Sequence, residues 1–207
     1  KTSWGSFEML DERAQAASRG IAEAAAANKN ATGITRLVGD LYASGMDTAK
    51  VNAAGIAPLQ PMLARIDALK TPADIAGYLR DEFAAGRGEV FSFGAEADFK
   101  NSSQKIGYAF QGGLSLPERA YYLEDGPDGK YKAIREAFVK HVSRQLQNAG
   151  VAAADADRQA ADVLAFETRL AKASLSPIEL RDPNNQYHYV SMAEADKLTP
   201  HFSWTEF

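Results

Sequence analysis

Cysteine is absent from the chain, and that one absence removes disulfides, thiolate metal sites and cysteine nucleophiles together. Histidine is scarce: His141, His188 and His201 are the three, widely spaced. No H-E-x-x-H pair places two imidazoles on one helical face, so local spacing builds no zinc site. His141 stands beside an apolar stripe and reads as a partly buried helix residue. A G-x-S-x-G elbow and both glycine-rich phosphate loops are missing as well. No apolar run approaches the roughly 18–20 residues that span a bilayer. Nor is there a cationic excess: the net charge is -4, which gives no reason to expect nucleic acid or anionic membrane as a partner. Acids are plentiful, 27 of 207 residues, but nothing singles out a pair for hydrolysis. The lack of cysteine leaves the compartment open.

What is present is an ordinary globular composition, 45% hydrophobic and 24% charged, with enough chain for one large or two small domains. Phe7, Leu10, Ala14, Ala17 and Ile21 recur at steps of three and four and predict a first helix. Polar residues and Gly33 break it near residues 28–33. Ile34, Leu37, Val38, Leu41 and Tyr42 then mark a second amphipathic helix that fades at Gly45. Ile56, Leu59, Met62, Leu63, Ile66 and Leu69 mark a third, with Pro58 and Pro61 at its start. The strongest local signal is TPADIAGYLRDEFAAG: Thr71 caps, Pro72 takes the first helical position, Asp74 favours the N-terminus and Gly86 ends the helix.

The period then changes from 3.6 to 2. Phe91, Phe93, Ala95, Ala97 and Phe99 alternate with polar or small residues, and Ile106, Tyr108 and Phe110 do so after a polar loop. This predicts one β-hairpin, about residues 89–112, with a single aromatic face packed on helices. Helices resume over 130–148, carrying Ile134, Phe138, Val142 and Leu146, and over 155–173, carrying Val163, Phe166 and Leu170. Ser191 and Glu194 form a capping box before a short helix that Pro200 ends. The final Ser203-Trp204-Thr205-Glu206 has the same form and predicts a helix beginning at the chain's end. The expected fold class is mainly α with one small hairpin. Asn30-Ala31-Thr32 and Asn101-Ser102-Ser103 match the glycosylation sequon, which matters only in a eukaryotic secretory host.

The stretch GGLSLPERAYYLEDG is dense in residues that chemistry uses. Glu118, Arg119, Tyr121 and Tyr122 suit either a hydrogen-bonded joint between helices or the lining of a peptide cavity. With SWGSFEML, LYASGMD, LAFETRLAKASLSPIELRD and FSW, in this order, it resembles the N-terminal region of the neprilysin and endothelin-converting-enzyme family of zinc metalloendopeptidases. The likeness covers nearly the whole chain. Leu114, Pro117, Arg119, Tyr121 and Tyr122 match one family motif; Glu167, Arg181 and Asp182 match another, followed by Tyr187 and Met192. Gly45 stands where secreted animal members carry a cysteine, so the chain is more similar to a bacterial member.

The resemblance implies a helical region that closes over a thermolysin-like catalytic domain, with zinc and its ligands beyond these residues. It implies a helix over 1–30 that packs toward that catalytic domain, a helical domain with an inserted hairpin over 31–207, and no zinc or cleavage in this chain alone. The whole protein would bind peptide substrates, would be periplasmic or secreted, and would make no membrane contact through these residues. Ser3, Phe7 and Glu8 match positions near a substrate subsite in animal members; Ser3 replaces an arginine there, removing a partner for a substrate's C-terminal carboxylate. Two rival readings stand beside this one. One is a free-standing helical binding module without enzymatic activity; the other is a self-contained hydrolase using paired acids.

Overall fold

The computed structural model describes residues 4–207. Their chain forms two compact units, 1–61 and 62–207. The first unit holds α1 (Ser6–Ala27), α2 (Gly33–Met46) and α3 (Thr48–Ala54). Helix α1 follows the alanine-rich stretch, and α2 packs on it where Gly39 lies flat against the Ala25 backbone. A Cβ at Gly39 would sit 2.6 Å from the Ala25 carbonyl oxygen, so this crossing requires glycine. Tyr42 donates its hydroxyl hydrogen to Glu23 across the same pair. Helix α3 escaped the periodicity because it has few large apolar residues. Its signal is the cap: the Asp47 side chain accepts from the Lys50 amide at 3.0 Å.

The third apolar stripe is not one helix. Gly55, with φ of 52°, stops α3, a 3-10 turn covers Ala57–Leu59, and α4 takes Gln60–Asp67. Helix α5 (Pro72–Ala84) begins with a full capping box. Thr71 Oγ1 accepts from the Asp74 amide, and Asp74 Oδ2 accepts from the Thr71 amide at 2.8 Å.

Strands β1 (Phe91–Ala97) and β2 (Lys105–Gln111) pair antiparallel as expected. The single aromatic face is corrected, because directly paired residues share a face. Phe93 pairs with Ala109, Gly94 with Tyr108 and Ser92 with Phe110. The aromatic residues of the two strands therefore lie on opposite faces, and each face has its own partners. Phe91 and Phe93 meet Phe83 of α5 and the C-terminal Phe207, and Phe91 also meets Phe202 and Trp204. On the other side Tyr108 stacks on Phe110 and meets Phe99, which in turn meets Tyr187. Gln111 extends the hairpin sideways. Its amide exchanges two hydrogen bonds with the Leu175 backbone, at 2.8 and 3.0 Å.

After a short α6 (Ala120–Leu123), α7 (Lys130–Asn148) and α8 (Ala153–Ala173) pack as a helical hairpin. Ala156 and Ala160 of α8 are fully buried, and Ser143 of α7 donates to Asp157 at 2.6 Å. Short α9 (Met192–Leu198) starts at the Ser191–Glu194 capping box. The terminal box forms only in part: Glu206 N donates to Ser203 Oγ, but residues 204–206 make a turn, not a helix. Asp196 holds that turn by accepting from the Trp204 and Thr205 amides and the Thr205 hydroxyl. His141 is exposed rather than partly buried; it lies on the outer side of α7. The described residues include nine α-helices and one two-stranded sheet, so the chain is mainly α with a small hairpin.

Candidate functional site

The GGLSLPERAYYLEDG stretch meets α8 through one buried carboxylate. Gly113 reaches this position with φ of 76°. A Cβ there would lie 2.7 Å from the Val90 carbonyl oxygen and 3.0 Å from Leu170 Cδ1, so a side chain is excluded twice over. The turn brings Ser115 onto Glu167 of α8. Ser115 donates its amide at 3.2 Å and its hydroxyl at 2.7 Å. Tyr122, in α6, donates its phenol hydrogen to the same carboxylate at 2.5 Å and accepts from the Leu116 amide at 2.8 Å.

Three donors thus converge on a buried acid, as a polar group removed from water requires. Burial raises the Tyr122 pKa, and the hydrogen bond to Glu167 raises it further. The phenol stays protonated and keeps donating. Chemically this is a clamp. Glu167 serves as acceptor for three protein donors, Ser115 spends its hydrogen on it, and among the described residues no imidazole attends the hydroxyl. A cleft of about 430 Å³ opens beside the clamp, between residues 88–90, 113–115 and 166–167.

Two other residues of the stretch, Tyr121 and Arg119, also have partners, and Glu118 accepts through its backbone carbonyl from the Tyr121 amide. Tyr121 stacks on Tyr131 with centroids 4.2 Å apart, and its carbonyl accepts from Arg135 at 2.7 Å. Arg135 also donates to the Glu124 carbonyl and to Asp125, tying the end of α6 to α7. Arg119 forms a solvent-facing ion pair with Glu179 at 3.6 Å. Leu114 lines the cleft, and Pro117 is exposed on the turn. Arg181 is exposed in a 3-10 turn, and Asp182 caps the next one by accepting from the Asn184 amide at 2.9 Å. Two family stretches far apart in sequence, Leu114–Tyr122 and the one with Glu167, are therefore brought together. Phe7 and Glu8 belong to the first turns of α1 in the other unit; Phe7 is 87% exposed and Glu8 half-buried. Ser3 lies outside the described residues.

Two carboxylates escaped the sequence reading. Glu82 of α5 is 1% exposed and takes Arg65 of α4 at 3.0 Å together with a two-pronged contact from Arg87. The Arg87 hydrogen bond, foremost, lowers the Glu82 pKa. Its signal was an acid on the apolar side of α5, next to buried Leu79. Asp98 at the hairpin tip is also buried, accepts from the Lys100 amide at 2.9 Å and raises the Tyr187 pKa after burial has done so.

These residues do not fit a catalytic zinc. Among the described residues no group of three or more His, Cys, Asp or Glu could hold a metal ion, and each buried carboxylate already has donors from the protein. Nor, among the described residues, is any helix long and apolar enough to cross a membrane.

The family model for the N-terminal part of peptidase family M13 matches residues 1–207. Endothelin-converting enzyme-like 1 of Rattus norvegicus is 34% identical over 119 residues, 56% of this chain and 15% of that protein. Neprilysin-3 of Drosophila melanogaster is 25% identical over 218 residues, all of this chain and 27% of that protein. Among solved structures, the zinc metalloprotease ZMP1 of Mycobacterium tuberculosis, in complex with an inhibitor, superposes with a TM-score of 0.82 at 28% identity. That match covers 97% of this chain and 30% of ZMP1. The chain thus spans less than a third of the length of these relatives. With the profile matching every residue and the fold shared across nearly all of them, the chain belongs to peptidase family M13, whose N-terminal region it matches.

Proposed function

We propose that this chain is the non-catalytic N-terminal part of a zinc-dependent metalloendopeptidase that hydrolyses short peptides. The observation that carries the reading is the ZMP1 fold shared over 97% of the chain, with no zinc ligand set among the described residues. Zinc would be held by residues outside this chain and would supply a polarised water for attack on the peptide carbonyl. The residues seen here would build a cap. The Glu167 clamp fixes the turn after the hairpin, the Glu82 pair fixes α4 to α5, and the aromatic clusters fix both faces of the hairpin. A wall that rigid would limit the substrate cavity to short peptides.

In the same reading the 1–30 segment packs toward the catalytic domain, with Ser3, Phe7 and Glu8 near bound peptide. The location is periplasmic or secreted, and the cysteine-free composition suits a bacterial source. The remaining coding sequence and the intact protein test this. An H-E-x-x-H beyond Phe207, with peptidase activity that a chelator abolishes and zinc restores, is the expected result. A stop codon soon after Phe207, with a stable monomeric product, would leave the free-standing binding module instead.

A further inference from the structure

Among the described residues two glutamates are buried, and their surroundings differ. Glu82, 1% exposed, has two guanidiniums: Arg87 forks across both of its oxygens and Arg65 joins at Oε1. Glu167, 7% exposed, has no cation within ion-pair reach among the described residues. Its donors are the Ser115 amide and hydroxyl and the Tyr122 phenol, all of them neutral groups. Arg87 is committed to Glu82, and Arg119 pairs with Glu179. Arg169 and Lys172 of α8 stand about 200° and 140° around the helix from Glu167. Buried glutamates are almost always paired, and Glu167 lacks the counterpart that Glu82 has.

Its acceptor capacity is also incomplete. A carboxylate offers about four lone-pair positions. Oε2 accepts from the Ser115 amide and from Tyr122, whereas Oε1 accepts from the Ser115 hydroxyl alone. One position on Oε1 remains, and Glu167 lines the cleft of about 430 Å³, a size usual for small-ligand pockets. The cleft adds what a cation on an apolar stem needs. Leu114 and the half-exposed Phe166 give it apolar walls, and Glu89 sets a second, exposed carboxylate in its lining. Among the described residues no group of three or more His, Cys, Asp or Glu could hold a metal ion, so an organic cation suits the cleft better. An ammonium fits the open position better than a guanidinium does. A guanidinium forks across both oxygens, as Arg87 does on Glu82, and on Glu167 the Oε2 side is already filled. An ammonium is a point donor that needs one lone pair, leaving its other hydrogens for Glu89 or water.

We propose that the cleft beside Glu167 binds the side chain of a lysine residue in a peptide, with its ammonium on Glu167 Oε1 and its stem along Phe166 and Leu114. The site is built within the 62–207 unit alone. It therefore goes beyond the proposed function and does not depend on it: a polypeptide without a zinc-binding half would carry the same cleft. A peptide without lysine makes no use of it, so hydrolysis of such a peptide by an intact peptidase does not report on it.

Methyl NMR of the intact protein reads the site directly, because Val90 and Leu114 line the cleft. Titration with Nα-acetyl-lysine amide should shift both methyl signals saturably, in the millimolar range expected of so small a ligand. The norleucine analogue, which lacks the ammonium, should leave them in place. The arginine analogue should bind at least about tenfold more weakly. Glu167→Gln should abolish the lysine response. Because that change also disturbs Ser115 and Tyr122, Glu89→Lys supplies a second variant at an exposed residue, where a like charge in the lining should weaken lysine binding at least about tenfold. Unmoved signals overturn the proposal and leave the cleft to water. So does binding of the norleucine analogue as strong as that of lysine, or of the arginine analogue at equal or greater strength. Lysine binding that persists in folded Glu167→Gln, or at full strength in Glu89→Lys, overturns it as well. Tighter binding of n-pentylamine than of the lysine amide would assign the cleft to a free amine instead of a peptide. Chelator-sensitive peptidase activity with no lysine response sinks this inference and leaves the proposed function standing.

Discussion

At the scale of single residues, three chemistry-like side chains of the GGLSLPERAYYLEDG stretch, Arg119, Tyr121 and Tyr122, are spent on holding the chain to itself. Tyr122 is the most exacting of them, since its hydroxyl donates to Glu167 while accepting from the Leu116 amide. Tyr122→Phe keeps the ring but strands one backbone donor and takes a donor from a buried acid. The expected loss is about 1–3 kcal/mol, read as a lower denaturant midpoint with an unchanged slope. On the proposed function, the intact protein's kinetics per folded molecule should stay the same; a raised KM at an unchanged melting temperature would instead make this stretch part of the peptide cavity. Thr71 gives a smaller and cleaner case. Its cap was legible because every atom involved lies within four residues, and Thr71→Ala should cost about 1 kcal/mol in the same unfolding experiment. Glu167 and Glu82 were not legible in that way. A motif can mark an acid, but its donors come from Ser115 and Tyr122 in one case and Arg65 and Arg87 in the other, and sequence spacing says nothing about which distant donors arrive.

At the scale of elements, periodicity found the hairpin and most of the helices, and it failed where a property belongs to a pair of elements. Alternation placed Phe91 and Phe93 on one face of β1, and Tyr108 and Phe110 on one face of β2. Whether those faces coincide depends on register, which a shift of one residue reverses. The observed register pairs Phe93 with Ala109 and Gly94 with Tyr108, so the hairpin is an aromatic layer sandwiched on both sides. This separates two substitutions. Phe91→Ala opens the cluster around Trp204 and should cost about 3 kcal/mol, with loss of the near-ultraviolet dichroism of that tryptophan. Phe99→Ala acts on the other face, against Tyr108 and Tyr187; it should be milder, because Phe99 is half-exposed, and should leave the Trp204 signal in place. Equal loss of that signal in both variants would mean that the two faces are not independent. The α3 helix shows the complementary failure: it carries too little apolar pattern to be seen, and its Asp47 cap went unread.

At the scale of the whole molecule, family membership was legible from five short stretches in order, whereas the division after Pro61 was not, since compact units depend on which helices touch. The electrostatics also act at this scale. Glu82, Glu194 and Asp196 all have pKa values held below their ordinary 4.5 and 3.8. The leading causes are the Arg87 hydrogen bond, the Ser191 amide and the Thr205 hydroxyl respectively. A carboxylate whose folded pKa is depressed adds stability that is complete above its unfolded value and is lost as the pH falls toward the folded one. The three should therefore act together below about pH 4.5, loosening α4 from α5 and the C-terminal turn from α9. Tyr122 has the opposite sign. Its pKa is raised, so its contribution is complete below the ordinary 10.0 and fades above it. Thermal unfolding followed across pH should show a plateau near neutrality, an acid limb and an alkaline limb. Asp196→Asn should flatten the acid limb by removing one titrating group, and Tyr122→Phe should flatten the alkaline limb alone. An acid limb unaltered by Asp196→Asn would show that the turn at residues 204–206 does not depend on that charge.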